Sequence, residues 1–160
     1  MTPNTARCRQ CEGPMTLQDL GQLEGEEHGV HVRIDHMPSM TCAKGHRRLV
    51  APAFASALLD ALVAREPLVP LEPAGRRGLL RKRYTCANCG AVLEGGASGR
   101  VESHRVVDIE GLHPFEVHVD LPTFRCGVCQ RENIEPRDAV VDDLMKASAH
   151  AFRSAELAPS

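Results

Sequence analysis

Tryptophan is absent from this chain, tyrosine occurs once and phenylalanine four times among 160 residues. Aromatic rings supply the largest buried area per side chain, so any core must be assembled from Leu, Val and Ala and stays modest. Also missing is an uninterrupted stretch of about 18 apolar residues, which argues against a transmembrane helix. The opening MTPNTARCRQC lacks the apolar run of a secretory leader, so a cytoplasmic location without membrane contact is expected. Charge of one sign is lacking too. The 19 basic and 21 acidic residues leave a net charge of −2, too little to draw the whole chain onto nucleic acid. Catalytic signatures are equally scarce: no G-x-S-x-G, P-loop or Gly-rich dinucleotide turn occurs. Neither an enzyme nor a small-molecule substrate is indicated.

What the chain does have is cysteine. Seven occur, in the order Cys8-x2-Cys11, Cys42, Cys86-x2-Cys89 and Cys126-x2-Cys129. In a reducing compartment, paired cysteines bind metal or do redox chemistry more often than they form disulfides. Two residues between thiolates let a tight turn aim both sulfurs at one ion, and two such turns complete a tetrahedral site. Cys86, Cys89, Cys126 and Cys129 supply one four-sulfur set. Cys8, Cys11 and Cys42 are one donor short, and His46, four residues beyond Cys42, fills the place; His36 or His31 would substitute if the strand bends back. Two Zn2+ ions per chain are expected, with iron in the four-sulfur set as the alternative because thiolates suit both metals.

The spacing also repeats. After each first pair come Gly29-Val-His31 or Gly111-Leu-His113, then an alternating strand, Val32-Arg-Ile34 or Phe115-Glu-Val117-His-Val119. Met37-Pro38 and Leu121-Pro122 follow, the prolines expected to end ladder pairing before the next knuckle. Helical stripes come last: Phe54, Leu58, Leu59 and Leu62 after Pro52, closed by Arg65-Glu66-Pro67, then Val140, Leu144, Ala147 and Ala151 after Pro136. The expected fold class is α+β: two tandem zinc ribbons, rubredoxin-like knuckles on small antiparallel sheets, each followed by an amphipathic helix. The boundaries are 1–68 for the first ribbon and helix, 69–83 for a Pro/Gly/Arg linker, and 84–158 for the second ribbon and helix. His31 and His36, like His113 and His118, stand five apart, an odd offset that turns their rings to opposite faces of a strand. They read as partly exposed strand histidines kept from a duplicated ancestor, and His104 and His150 have no local partner signature.

Each half resembles the YgiT-type zinc-finger family, the zinc-binding half of MqsA-like antitoxins, here as two tandem copies. The resemblance rests on C-x2-C, a β segment, an apolar-Pro dipeptide, a second knuckle and a helix, over residues 8–65 and 86–155. It implies the ribbon fold, the metal and an antitoxin-like role. The chain departs from the pattern at Cys42-Ala-Lys-Gly-His46, which replaces a second C-x2-C knuckle, and it shows no added helix-turn-helix segment of the kind that reads operator DNA.

Basic residues cluster in two places. Lys44, Arg47 and Arg48 flank the second knuckle, and Arg76, Arg77, Arg81, Lys82 and Arg83 crowd the linker. They either balance the anionic metal–thiolate sites or contact phosphates. The expected function is a non-enzymatic intracellular zinc-binding protein acting as a regulatory, macromolecule-binding adaptor, antitoxin-like or transcription-related. A protein partner is favoured, held by the helix stripes around Leu58, Leu62 and Leu144. The alternatives are a rubredoxin-like iron electron carrier and nucleic-acid binding through the basic linker.

Overall fold

The computed structural model describes residues 6–63, 67–81 and 83–158. Both helices form where the apolar stripes place them, α1 over Phe54–Val63 and α2 over Arg137–Ser154. Pro136 is the N-cap of α2, and its fixed φ suits a helix entry. Arg65 and Glu66, read as closing α1, lie outside the described residues. No helix among the described residues is long and apolar enough to cross a membrane.

The strands depart from two tandem ribbons. In the first half, β1 (Met15–Asp19), β2 (Gln22–Glu27), β3 (Val30–Asp35) and β4 (Pro38–Cys42) lead to the short β5 (Arg47–Arg48). In the second half, β8 (Gly99–Val107) and β9 (Phe115–Arg125) form one long hairpin, followed by β10 (Glu132–Asn133) and, after α2, β11 (Leu157–Ala158). Hairpins β2–β3 and β8–β9 meet edge to edge. Strand β3 pairs antiparallel with β9, Val32 opposite Val119 and Ile34 opposite Val117. The result is a continuous sheet in the order β2-β3-β9-β8, with β10 attached at the end of β9.

The helices cross over as well. Helix α2, from the second half, lies on β2 and β3 of the first. Helix α1, from the first half, lies against β8, and its Phe54 stacks on Phe115 of β9 at 5.9 Å. Each helix therefore covers the other half's hairpin, and one core mixes Val32, Ile34, Leu58 and Leu62 with Val117, Val119, Leu144 and Ala147. Among the described residues, this mostly-β architecture of three sheets and two helices replaces the expected α+β pair of ribbons each carrying its own helix. The physical reason is edge chemistry. A lone two-stranded hairpin is marginal in water and leaves an edge of unpaired N–H and C=O groups. Joining β3 to β9 satisfies both edges and merges two small apolar faces into one.

Gly25 shows how closely α2 approaches. A Cβ there would run into the backbone of Ala147 and Ala151, so the helix rests directly on the β2 backbone. Elsewhere the first hairpin bends. Gly21 (φ 71°) and His36 (φ 61°) break it between β1 and β2 and between β3 and β4. The His36 N–H donates to the Gly21 carbonyl at 2.6 Å, and the His36 ring meets Asp19 at 2.8 Å. Beyond that corner β1 and β4 belong to a second sheet, β1-β4-β5-β11, in which β11 runs parallel to β5.

Two further expectations are corrected. The prolines do not end the ladders: Pro38 is the first residue of β4, opposite Asp19, and Pro122 sits within β9, opposite Arg100. A missing N–H is tolerated there because β4 begins at Pro38 and the β3 ladder stops at Asp120. The 69–83 segment read as a linker carries β6 (Gly75–Arg77), which pairs with β7 (Arg83–Thr85), a strand that starts at the segment's last residue, as a third, two-stranded sheet.

Candidate metal centres

Three turns share one hydrogen-bond scheme. The Cys8 N–H donates to the Gly13 carbonyl, Cys86 to Ala91 and Cys126 to Arg131, each at 2.8–2.9 Å. In return Glu12, Gly90 and Gln130 donate to the carbonyls of Cys8, Cys86 and Cys126. The returning residue is left-handed every time, with φ 58° at Glu12, 73° at Gly90 and 64° at Gln130. The fourth turn is one residue tighter. Cys42 donates to the His46 carbonyl at 3.1 Å, and Gly45 (φ 83°) donates back to Cys42 at 2.9 Å. That shortening leaves the ligand position to residue 46, where an imidazole supplies the reach.

The turns converge in pairs. Cys8, Cys11, Cys42 and His46 form one group and Cys86, Cys89, Cys126 and Cys129 another, with the donor atoms of each within 4.8 Å of one another. In the first, His46 Nδ1 lies 3.4 Å from the Cys8 sulfur and 3.6 Å from Cys42, and the sulfurs of Cys11 and Cys42 are 3.6 Å apart. In the second, Cys86–Cys129 and Cys89–Cys126 are 3.6 and 3.5 Å apart. A disulfide needs about 2.05 Å, and all seven thiols are free. The edge of a tetrahedron with bonds of about 2.3 Å is about 3.8 Å, close to these separations. Both groups can therefore hold a metal ion.

Electrostatics within each group are uneven. Backbone N–H groups of Cys89 and Asn88, with the Asn133 amide, bring the Cys86 thiol down to about 6. The N–H groups of Cys129 and Val128 lower Cys126 likewise. At Cys42 burial opposes ionisation, but the N–H groups of Lys44 and His46 outweigh it and hold the thiol at about 6. Cys89 and Cys11 move the opposite way. Cys89 receives the Ala91 N–H, yet the Cys126 sulfur, burial and the remaining thiols push it up to about 11. Cys11 is raised against the Gly13 N–H by burial and by Cys8 and Cys42. Four sulfurs cannot all ionise side by side unaided. A divalent cation at the centre would complete deprotonation, and the donor set fits one.

Asn133 is a participant that spacing alone does not reveal. It is buried, accepts from the Ala87 N–H at 2.9 Å, and aims its amide at the Cys86 sulfur at 3.6 Å. Its only signal in the sequence is a polar residue four places after Cys129, just ahead of an apolar one.

The histidines named as substitutes for His46 are engaged elsewhere. His36 binds Asp19, and His31 faces Glu24 at 3.8 Å on the sheet. At the corner, the His113 Nε2–H donates to the His36 carbonyl at 3.1 Å. The basic residues divide between elements. Arg47 Nη1 reaches the Ala155 carbonyl at 3.4 Å, Arg48 lies against the Met15 sulfur at 3.3 Å, and Lys44 is exposed in its turn. Arg76 is committed to an ion pair with Asp138 that raises its own pKa. Arg77, Arg81 and Arg83 are exposed on the β6–β7 hairpin, and Lys82 lies outside the described residues. Leu58, Leu62 and Leu144, expected to grip a partner, are at most 1% exposed and belong to the chain's own core. No family model, curated protein or solved structure matches the chain.

Proposed function

We propose that the two cysteine-rich groups hold zinc, two ions per chain, and that the protein is a non-enzymatic adaptor that works by binding a protein partner. The observation that carries this reading is the count of donors. Each group already brings four, the number a structural zinc ion takes, whereas catalytic zinc needs an open position. The metals then serve to hold a surface.

The β6–β7 hairpin is the surface element that best fits a contact. At its tip Leu79 and Leu80 are 99% and 100% exposed, flanked by Arg77, Arg81 and Arg83. Two adjacent leucines in water beside exposed arginines suit an acidic protein surface around an apolar pocket, the kind of anchor that dominates interfaces. A regulatory, antitoxin-like role agrees with such an arrangement. Phosphate contact is the less favoured use, because Arg76 is engaged by Asp138 and the nearby rings, Tyr84 and Phe124, pack edge-on against each other at 6.3 Å.

The test pairs metal analysis with capture. Freshly purified protein should be colourless and contain two zinc ions; ferric sulfur sites would absorb visible light and point to electron transfer. Capture from nuclease-treated lysate should retain a partner that the Leu79→Ser/Leu80→Ser variant, still holding two zinc ions, fails to retain. A partner lost on nuclease treatment would transfer the function to nucleic acid.

A further inference from the structure

The outer face of the central sheet carries a third convergence of donors, unrelated to any cysteine. His104 on β8 stands directly opposite His118 on β9, and Glu116 lies two residues from His118 on the same face. The two imidazoles stack at 4.5 Å with planes 25° apart. Both turn their Nε2 atoms to a single carboxylate oxygen, Glu116 Oε2, at 3.5 Å from His104 and 3.8 Å from His118. From β3, Asp35 adds a second carboxylate 3.3 Å from His118 Nε2.

These separations are informative because they are too long for direct bonds. Charge-assisted N–H···O bonds close to about 2.7–2.9 Å, and on the same face Arg100 and Asp120 do so at 2.7 Å. His104, Glu116 and His118 instead surround a point. Donors about 2.0–2.2 Å from one ion in tetrahedral array stand about 3.3–3.6 Å from each other. The His104–Glu116 separation of 3.5 Å falls in that range and the His118–Glu116 separation of 3.8 Å just above it, and the three donor atoms lie within 4.8 Å of one another.

We propose that His104, Glu116 and His118 form a third metal site, one that takes a divalent transition ion of the zinc class. Two imidazoles and a carboxylate suit such ions rather than calcium or magnesium. Asp35, shared with Arg33 at 3.2 Å, contributes field rather than a ligand. The site differs in kind from the thiolate pair. It has three protein donors, all partly exposed at 49%, 51% and 28% for His104, Glu116 and His118, so solvent completes the coordination and the ion exchanges freely. Because β8 and β9 are already joined by their own ladder, this ion is not needed for folding. The inference is independent of the adaptor reading.

Calorimetric titration of Zn2+ into protein already carrying two zinc ions tests it. The wild-type chain and His28→Ala, a change in the separate group of Glu27, His28 and Asp143, should bind one further equivalent. His104→Ala and His118→Ala should bind none while retaining two zinc ions and an unchanged circular dichroism spectrum. In the wild type, the same addition should shift the imidazole NMR signals of His104 and His118, a readout that needs no variant. A wild-type titration that stops at two, a third equivalent that survives in the His104→Ala/His118→Ala double variant, loss of it in His28→Ala, or unshifted His104 and His118 signals would each overturn the site.

Discussion

Asn133 joins the second metal group to the chain's hydrogen-bond network without being a ligand. Its carbonyl holds the turn at Ala87, and its amide faces the Cys86 sulfur and the carbonyls of Phe124 and Arg131. Partners of this type orient ligands and tune their basicity, and their loss lowers metal affinity by about 10- to 100-fold. Asn133→Ala should therefore weaken zinc at the second group by that factor and leave the first unchanged, as read by competition with a chromogenic chelator. His28 is a different kind of residue. At the β2–β3 turn its Nδ1 meets the buried Asp143 of α2 at 2.9 Å, and that bond, with the charges of Asp143 and Glu27, raises its pKa above 6.5. A raised imidazole pKa means that the folded chain binds the proton more tightly. The stabilisation is complete below about 6.5 and fades as pH rises through the elevated value. Melting temperature measured against pH should fall across that window in the wild type and less so in His28→Gln.

At the scale of elements, Gly25 fixes the distance between β2 and α2. Gly25→Ala must push the helix off the sheet, an overpacking cost of about 1–3 kcal/mol, measurable as a lower denaturation midpoint at unchanged slope. The sequence showed the elements with strong periodicity. Leu58 and Leu62, or Val140 and Leu144, recur at helical spacing, and Phe115, Val117 and Val119 alternate. Strand β8 was not visible, because its inward side is Val101, Ser103, Arg105 and Val107, half of it polar. With β8 hidden, the opposition of His104 and His118 was hidden too. The β6–β7 hairpin reads as a linker for the same reason: prolines and glycines surround it and its strands are basic, not alternating. Which hairpin edges pair, and which helix covers which hairpin, depends on surfaces far apart in the chain. Local pattern carries no record of that choice. The ligand groups fared better because a metal knuckle is specified by spacing within a few residues.

For the whole molecule, the two larger sheets differ in what holds them. The β2-β3-β9-β8 sheet shares the main core with both helices and with Leu157 of β11, whereas the separate cluster beneath β1 and β4 is Cys8, Met15 and Cys42. Two of those three belong to the first group that could hold a metal ion. Structural zinc contributes apparent free energies of about 10–16 kcal/mol in zinc-finger peptides, far beyond what one buried methionine supplies. Chelation at neutral pH should therefore strip hydrogen-exchange protection from β1, β4 and β5 first and leave β3 and β9 protected. Uniform loss across both sheets would show instead that the ions hold the main core as well.

The crossing of the helices also sets a timetable for biosynthesis. His28 and its partner Asp143 lie 115 residues apart, and at about 5–20 residues per second a ribosome takes roughly 6–23 s to pass from one to the other. Through that interval the nascent β2–β3 hairpin waits with its apolar side uncovered and its β3 edge open, a template for pairing with neighbouring chains. A polysome carrying many copies brings such hairpins side by side. Messages truncated before α2 should accumulate as insoluble product, and the full-length chain should depend on a chaperone that shelters the first half until the second arrives.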